Sequence, residues 1–250
     1  MRLCSIASGS SGNCIYVGSE ATHLLVDVGI SGKKAEAGLN SLGLTGRDLD
    51  GILVTHEHMD HVAGLGVMAR KYEVPIYATT GTLEEIQKMG NLGKIDPALF
   101  REVKEDVKLT IKDLTVNPMK ISHDAAQPVG YRIAYGDKKV GICTDLGVYN
   151  DYTVECLKGM DALLLEAKQR ILGDRGHLSN ENSGKLLCRI LHDKLQAIVL
   201  GHLSKENNLP ELAYEAVRME ITMGENPYRA EDFRMMVADR SNVSPVINIA

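Results

Sequence analysis

The sequence has few of the features that mark secreted, membrane-spanning or zinc-knuckle proteins. Its 250 residues include no Trp, only 2 Phe and 5 Cys. The cysteines are odd in number and form no Cys-x-x-Cys pair, which argues against a disulfide framework or a thiolate metal site. No run of about 18 apolar residues and no apolar leader is present, so we expect no membrane span and a cytoplasmic location.

Positively charged residues are outnumbered by negatively charged ones. Lys and Arg total 28 against 33 Asp and Glu, which gives a net charge of −5 at pH 7. A protein that holds nucleic acid through its overall charge is basic, and one that stacks bases carries more aromatic rings. Any nucleic-acid binding must therefore come from a local site. The composition is otherwise that of a globular protein, and because no linker divides it we expect a single domain over residues 1–250.

Predicted strands and helices occur in two successive sets along the chain, each with strands followed by helices. Hydrophobic spacing predicts strands at 3–7, 15–17, 24–28 and 52–54, with helices at 33–42 and 62–72. The rest of the chain contains predicted strands at 109–111, 114–121, 129–134, 139–144, 163–165, 197–200, 234–238 and 246–249. Helices are predicted at 83–89, at 181–191 and from a capping box at 208–211 to about Met223. The order predicts an α/β (α+β) protein in which two mixed β-sheets pack face to face with helices outside.

The sharpest signal is the loop His56-Glu57-His58-Met59-Asp60-His61, which follows a predicted buried strand. Extended backbone points the imidazoles of His56 and His58 the same way, and the turn after them lets Asp60 and His61 reach a second position nearby. Imidazole nitrogens and a carboxylate suit Zn²⁺, Mn²⁺ or Fe equally. One loop can serve two cations but cannot complete both sites, so further ligands must come from elsewhere.

Three more candidates stand where predicted strands meet loops: His123, Asp145 and His202. Rigid scaffolds commonly place functional groups at such positions. A lone histidine there is more often a hydrogen-bonded surface residue, but beside the histidine loop these residues become candidate metal ligands.

Taken in order, Asp27, the histidine loop, His123, Asp145 and His202 resemble the five motifs of the metallo-β-lactamase-fold hydrolases. The resemblance implies an αββα sandwich and two divalent metal ions, Zn²⁺ or Mn²⁺ with Fe as a further option. It places one ion on His56, His58 and His123, the other on Asp60, His61 and His202, and Asp145 between them. Asp27 would orient a ligand, although a strand-end acid with purely structural hydrogen bonds would occupy the same place.

Ligand residues differ between the branches of this superfamily, and these differences narrow the possible reactions. Asp145 stands where many β-lactamases carry Cys, which argues against antibiotic hydrolysis. His58 stands where the oxygen-reducing di-iron branch carries Glu, which favours a hydrolase. The ligands remain compatible with the branch that hydrolyses glutathione thioesters.

Two segments favour phosphodiester cleavage. Residues 176–182 (GHLSNEN) are nearly repeated at 201–207 (GHLSKEN). The first copy is similar to the helix-start histidine motif of tRNA 3′-processing endonucleases, which implies that His177 assists proton transfer to the leaving oxygen. Ser179 and free helix N–H groups would then hold a phosphate, unless the two copies are simply helix caps.

Six segments together resemble the bacterial YycJ/WalJ family: 8–13 (SGSSGN), 53–58 (LVTHEH), 122–126 (SHDAA), 144–147 (TDLG), 174–179 (DRGHLS) and 202–208 (HLSKENN). The resemblance implies 5′→3′ exonuclease action on DNA, most readily on duplex DNA. Ser10 and Asn13 would line the site, unless the glycine turn is only a tight turn. Family members usually carry Asn-His-Asp and a longer loop after the Glu-Ala found here at 166–167, whereas this chain continues Lys-Gln-Arg.

The predicted function is therefore a binuclear metal-dependent phosphodiesterase whose substrate is DNA. Asp60 would position the attacking water, and Lys168, Arg175 and Lys205 would supply a local positive field. Two alternatives remain open at this point: hydrolysis of a thioester or lactone by the same metal site, and a metal-stabilised regulatory protein that binds DNA without cleaving it. The sequence leaves the oligomeric state open.

Overall fold

Two seven-stranded mixed sheets form the centre of the protein in a computed structural model that describes residues 1–168, 176–203 and 209–250. The first sheet has the order β14-β1-β2-β3-β4-β5-β6 and the second β13-β12-β11-β10-β9-β8-β7. The strands are β1 (Arg2–Ala7), β2 (Cys14–Gly18), β3 (His23–Val26), β4 (Gly51–Leu53), β5 (Ile76–Ala78), β6 (Phe100–Glu102), β7 (Leu109–Ile111), β8 (Leu114–Lys120), β9 (Val129–Tyr135), β10 (Lys138–Cys143), β11 (Ala162–Glu166), β12 (Ala197–Gly201), β13 (Arg234–Val237) and β14 (Ile247–Asn248).

Helices cover the outer face of each sheet. They are α1 (Gly32–Ser41), α2 (Met59–Val62), α3 (Leu65–Tyr72), α4 (Thr80–Lys88), α5 (Asp151–Leu157), α6 (Asn180–Ile190) and α7 (Pro210–Met223). Helices α1, α3 and α4 pack on the first sheet, and α5, α6 and α7 pack on the second. None of the helices in the described ranges is long and apolar enough to cross a membrane.

Apolar side chains fill the space between the sheets. Leu24 and Leu53 of the first sheet share one buried cluster with Tyr131, Ile142 and Leu164 of the second. Burying such side chains stabilises a fold by about 1.5–3 kcal/mol each, so the sheet-to-sheet contact is a major source of stability. The four layers confirm the predicted fold of two mixed sheets flanked by helices.

The directions of the strands bring the candidate site residues to one edge of the sandwich. β3 and β4 run parallel in the first sheet, and β10, β11 and β12 run parallel in the second. Two antiparallel pairings make β8 run in the same direction as β10. Residues that follow these strands therefore lie together at the carboxyl edge, which is where open α/β sheets bind ligands.

The helix predicted over 62–72 is wrong in its first turn. The structure has two helices there, α2 and α3, with Gly64 between them. Gly64 donates its N–H to the Val28 carbonyl, and a Cβ at this position would lie 2.1 Å from the Ile30 carbonyl oxygen. A close approach of two backbones, which hydrophobic spacing does not report, breaks the helix.

Other boundaries also differ from prediction. α7 begins at Pro210, because proline is well suited to the first helical position. Leu209 is the N-cap, and its side chain makes no capping hydrogen bond. The predicted capping residue Asn208 lies outside the described residues. The strand predicted to 28 ends at Val26, because Asp27 adopts a left-handed backbone conformation. β5, β6 and α5 were not predicted at all, since all three are short.

Candidate metal centre

The histidine loop leaves β4 and folds straight back on itself. Thr55 and His56 are fully buried, and His58 caps the one-turn helix α2 with extended backbone. His56 Nε2 lies 3.1 Å from His58 Nδ1, and α2 returns His61 so that its ring centroid lies 4.1 Å from that of His56. A single loop thus presents several imidazoles to one space.

The second sheet adds a histidine from across the sandwich. His123 follows β8, and its Nε2 atom lies 3.3 Å from His58 Nδ1. His56, His58 and His123 offer nitrogen atoms that all lie within 4.8 Å of one another. These are the three residues that the resemblance assigned to one ion.

A second group forms beside the first. His202 follows β12, and its Nε2 atom lies 3.2 Å from Asp60 Oδ2. His61 Nε2 lies 3.7 Å from the same carboxylate oxygen. Asp60, His61 and His202 again offer ligand atoms within 4.8 Å of one another, as the assignment to a second ion requires.

Asp145 lies between the two groups. Its Oδ2 atom is 3.0 Å from His61 Nε2, and its Oδ1 atom is 3.3 Å from His202 Nδ1 and 3.8 Å from His123 Nε2. Oδ2 is buried and makes no hydrogen bond within the described residues. A buried carboxylate oxygen without a donor is costly unless a cation binds it, so the donor set fits divalent metal ions.

Three residues of the centre have left-handed backbone. Asp27, Asp145 and His202 have φ angles of 61°, 55° and 54°, and they are half of the six such non-glycine residues in the described chain. The conformation costs about 1–3 kcal/mol at each position, and Asp and His adopt it more readily than most residues. Each turn follows the end of a strand and brings a side chain back into the centre.

Asp27 holds His61 from behind. Its Oδ2 atom accepts a hydrogen bond from His61 Nδ1 at 2.8 Å and another from Thr55 Oγ1, also at 2.8 Å. The Thr55 backbone N–H donates to Oδ1. Because Nδ1 of His61 donates to Asp27, Nε2 is the ring atom that faces Asp145 and Asp60.

Glu166 is part of the centre, and the sequence analysis did not identify it. The side chain is fully buried at the end of β11, and its Oε1 atom lies 3.1 Å from His202 Nδ1 and 2.6 Å from His177 Nδ1. Leu146 N–H donates to Oε2 at 2.9 Å. Glu166 therefore contacts the Nδ1 atom of His202, as Asp27 contacts the Nδ1 atom of His61. The available signal was an acid at the end of a wholly apolar predicted strand.

His177 joins the same cluster. Its Nδ1 atom lies 3.4 Å from Asp145 Oδ1, and its Nε2 atom lies 2.8 Å from the Lys168 ammonium. Asp145, Glu166, His177 and His202 offer ligand atoms within 4.8 Å of one another. The structure therefore brings His177, which is predicted to assist proton transfer, beside the candidate metal ligands.

The other predicted site residues differ in whether they reach the candidate metal centre. Asn13 Nδ2 lies 3.1 Å from His61 Nε2, and its Oδ1 accepts the Gly9 N–H, so it both shapes the glycine turn and reaches the centre. Ser10 is exposed and makes no hydrogen bond to the cluster among the described residues. Ser179 is the N-cap of α6, where its hydroxyl accepts the Asn182 N–H, as the helix-cap alternative expects. The predicted cations at 175 and 205 lie outside the described residues.

Charges within the centre are strongly coupled. Burial and the neighbouring His61 hold the pKa of His56 well below its usual range. Burial also opposes charge on His61, yet the carboxylates of Asp145 and Asp27 raise its pKa well above the usual histidine value. Burial would raise the pKa of Asp145, but the imidazoles of His202 and His61 hold it well below its usual range. Protons thus occupy places that metal ions can take, with proton release on binding.

Comparison with known proteins places the chain in a family. Residues 22–202 match the model of the beta-lactamase superfamily domain. The chain is 40% identical over 225 residues to the exodeoxyribonuclease WalJ of Streptococcus pneumoniae serotype 2, with 84% of each chain covered. It is 39% identical over 229 residues to the exodeoxyribonuclease YycJ of Bacillus anthracis, with 85% of this chain and 86% of the relative covered.

A solved structure supports the same fold. The metallo-beta-lactamase fold protein YhfI of Bacillus subtilis superposes with a TM-score of 0.75 at 17% identity, covering 97% of this chain and 98% of that one. Two seven-stranded sheets and the paired histidine groups at their carboxyl edge agree with the sequence matches. The chain belongs to the beta-lactamase superfamily, and within it to the family of the exodeoxyribonucleases WalJ and YycJ.

Proposed function

We propose that the chain is a metal-dependent exodeoxyribonuclease that removes nucleotides from the 5′ end of duplex DNA. The observation that carries the proposal is the pair of histidine groups bridged by buried Asp145, in a chain 40% identical to a curated exodeoxyribonuclease. Both curated relatives are named exodeoxyribonucleases, which favours DNA over a thioester or lactone as the substrate.

The proposed ligands fall into the two groups described above. His56, His58 and His123 would hold one ion, Asp60, His61 and His202 the other, with Asp145 between them. These N and O donors suit Zn²⁺ and Mn²⁺, with Fe as a third option. When bound, divalent ions supply an activated water and neutralise charge on the phosphoryl oxygens.

Asp60 and His177 are the proposed catalytic residues of the chain itself. The Asp60 side chain is 27% exposed and is therefore open to solvent, so its carboxylate can orient a water for attack on phosphorus. Burial would raise the pKa of Asp60, but its hydrogen bond with His202 holds the pKa below its usual value, so this oxygen remains an acceptor.

Glu166 would set the proton position on His177. The carboxylate accepts a hydrogen bond from His177 Nδ1 at 2.6 Å, so Nε2 is the atom left to exchange a proton with the departing sugar oxygen. Asp27 and Glu166 thus take matching roles, one behind His61 and the other behind His202 and His177. Asn13 would hold the loop backbone against the centre, while the predicted phosphate contacts of Ser10 and Ser179 rest on the family resemblance.

The test is digestion of a duplex that carries a 5′ phosphate and a 3′ label by protein reloaded separately with Mn²⁺ and Zn²⁺. We expect progressive loss from the 5′ end. Asp60→Asn should abolish it, while Asp137→Asn, which removes the same charge from an 87% exposed position, should not. Loss from the 3′ end would overturn the polarity.

Two other results would overturn the DNase assignment. Hydrolysis of a thioester or lactone without DNA cleavage would identify a small-molecule hydrolase. Tight DNA binding without cleavage under both metals would identify a regulatory protein.

A further inference from the structure

A buried lysine lies inside the centre. Lys168 is only 3% exposed, although lysine is almost never fully buried without a partner. Its backbone N–H donates to the Leu178 carbonyl, and its carbonyl accepts the Asn180 N–H. A parallel bridge to Ser179 therefore fixes the residue against the start of α6.

The ammonium of Lys168 lies against the imidazole ring of His177. Nζ is 2.8 Å from His177 Nε2 and 3.0 Å from Nδ1, whereas Glu166 Oε1 is 3.7 Å away. Because Nζ lies at nearly equal distances from both ring nitrogens, the ammonium contacts the His177 ring rather than a single lone pair. A cation therefore lies directly beside His177.

The centre also contains four acidic side chains. Asp27, Asp145 and Glu166 are buried, and Asp60 is largely so, while the chain as a whole has a net charge of −5. An ammonium has three donors, and the His177 ring is its hydrogen-bond partner among the described residues. Within residues 1–168, 176–203 and 209–250, at least one donor therefore remains for an anion that enters beside His177.

We propose that Lys168 binds a non-bridging oxygen of the substrate phosphate and holds that phosphate beside His177. The inference rests on the proposed function, because it names the contact that lets an acidic chain hold DNA at this site. It assigns a specific substrate contact to a buried lysine. An ammonium acts there as a point charge that suits phosphate.

The experiment compares the salt dependence of kcat/KM on 5′-phosphorylated duplex DNA for the wild type and Lys168→Met. Loss of one phosphate contact should reduce the slope of log(kcat/KM) against log[salt] by about 0.9. We also expect kcat/KM to fall by about tenfold or more at low salt, mainly through KM. Lys168→Arg, which keeps the charge, should restore most of the slope.

Lys185→Met is the matched control, because Lys185 lies exposed on α6 and its loss removes the same charge from the surface. Metal content and thermal unfolding are measured on every variant. A Lys168→Met protein that loses stability or metal but keeps the wild-type salt slope would show a structural role and overturn the inference. Wild-type protein that leaves DNA intact under both metals would instead refute the proposed function itself.

Discussion

Replacing Asp27 by Asn tests whether the hydrogen bond behind His61 governs metal binding. The carboxylate accepts three hydrogen bonds, two from Thr55 and one from His61 Nδ1, each at 2.8 Å. Asn keeps one oxygen but places an NH₂ group against donors. It also tolerates the left-handed backbone at φ 61°, so the change is confined to the hydrogen bonds.

The expected magnitude follows from the contacts that are lost. A hydrogen bond to a charged group contributes about 1.5–3 kcal/mol, and we expect the free energy of unfolding of the metal-free variant to fall by about that amount. Removing a partner that orients a metal-bound histidine typically lowers metal affinity by about 10–100-fold. Thermal unfolding of metal-free protein measures the first effect, and titration against a chelator of known affinity measures the second.

Asp113→Asn provides the matched control. Asp113 also accepts hydrogen bonds from Ser19 and Thr22 hydroxyls, but it is not among the residues grouped at the centre. The control should lose stability without losing metal affinity. An Asp27→Asn variant that binds metal as tightly as the wild type would refute the reasoning.

Two further predictions follow from the same geometry. Glu166→Gln should lower kcat by about 10–100-fold and weaken binding of one metal ion, because the hydrogen bonds to His202 and His177 lose their charged acceptor; steady-state kinetics and metal content check both effects. Metal-loaded and metal-free protein should differ more in Tm as the pH rises above about 6.5. Burial lowers the pKa values of His61 and His202, but neighbouring carboxylates raise them above 6.5 overall. The protons on His61 and His202 therefore stabilise the metal-free protein below the ordinary histidine pKa, and this stabilisation is lost as the pH rises through the raised pKa values, whereas bound metal remains. A Tm difference that stays constant with pH would contradict this prediction.

The ligand loop was predictable because its chemistry is local. His56, His58, Asp60 and His61 lie within six residues, and the extended pair followed by a turn survives into the structure. The distant ligands were predictable only in part. A histidine or acid at the end of a strand is ambiguous by itself, and the family resemblance rather than spacing brought His123 and His202 to the centre.

Two of the features that the sequence analysis missed depend on tertiary contacts. Glu166 becomes significant because β11 lies beside β10 and β12, and no local pattern gives that strand order. The break at Gly64 depends on the Ile30 carbonyl, more than thirty residues away in sequence. For Asp27 the sequence left two interpretations open, and the contact with His61 Nδ1 is the observation that favours an orienting role.

The central claim is that metal ions held around Asp145 drive cleavage of DNA. The most direct measurement is the rate of nucleotide release from 5′-phosphorylated duplex DNA as metal is titrated into chelated protein. We predict no release from chelated wild type, recovery that saturates near two ions per chain, and at least a ~100-fold lower rate for Asp145→Asn. Release that survives chelation, or an Asp145→Asn rate equal to that of the wild type, would contradict the account.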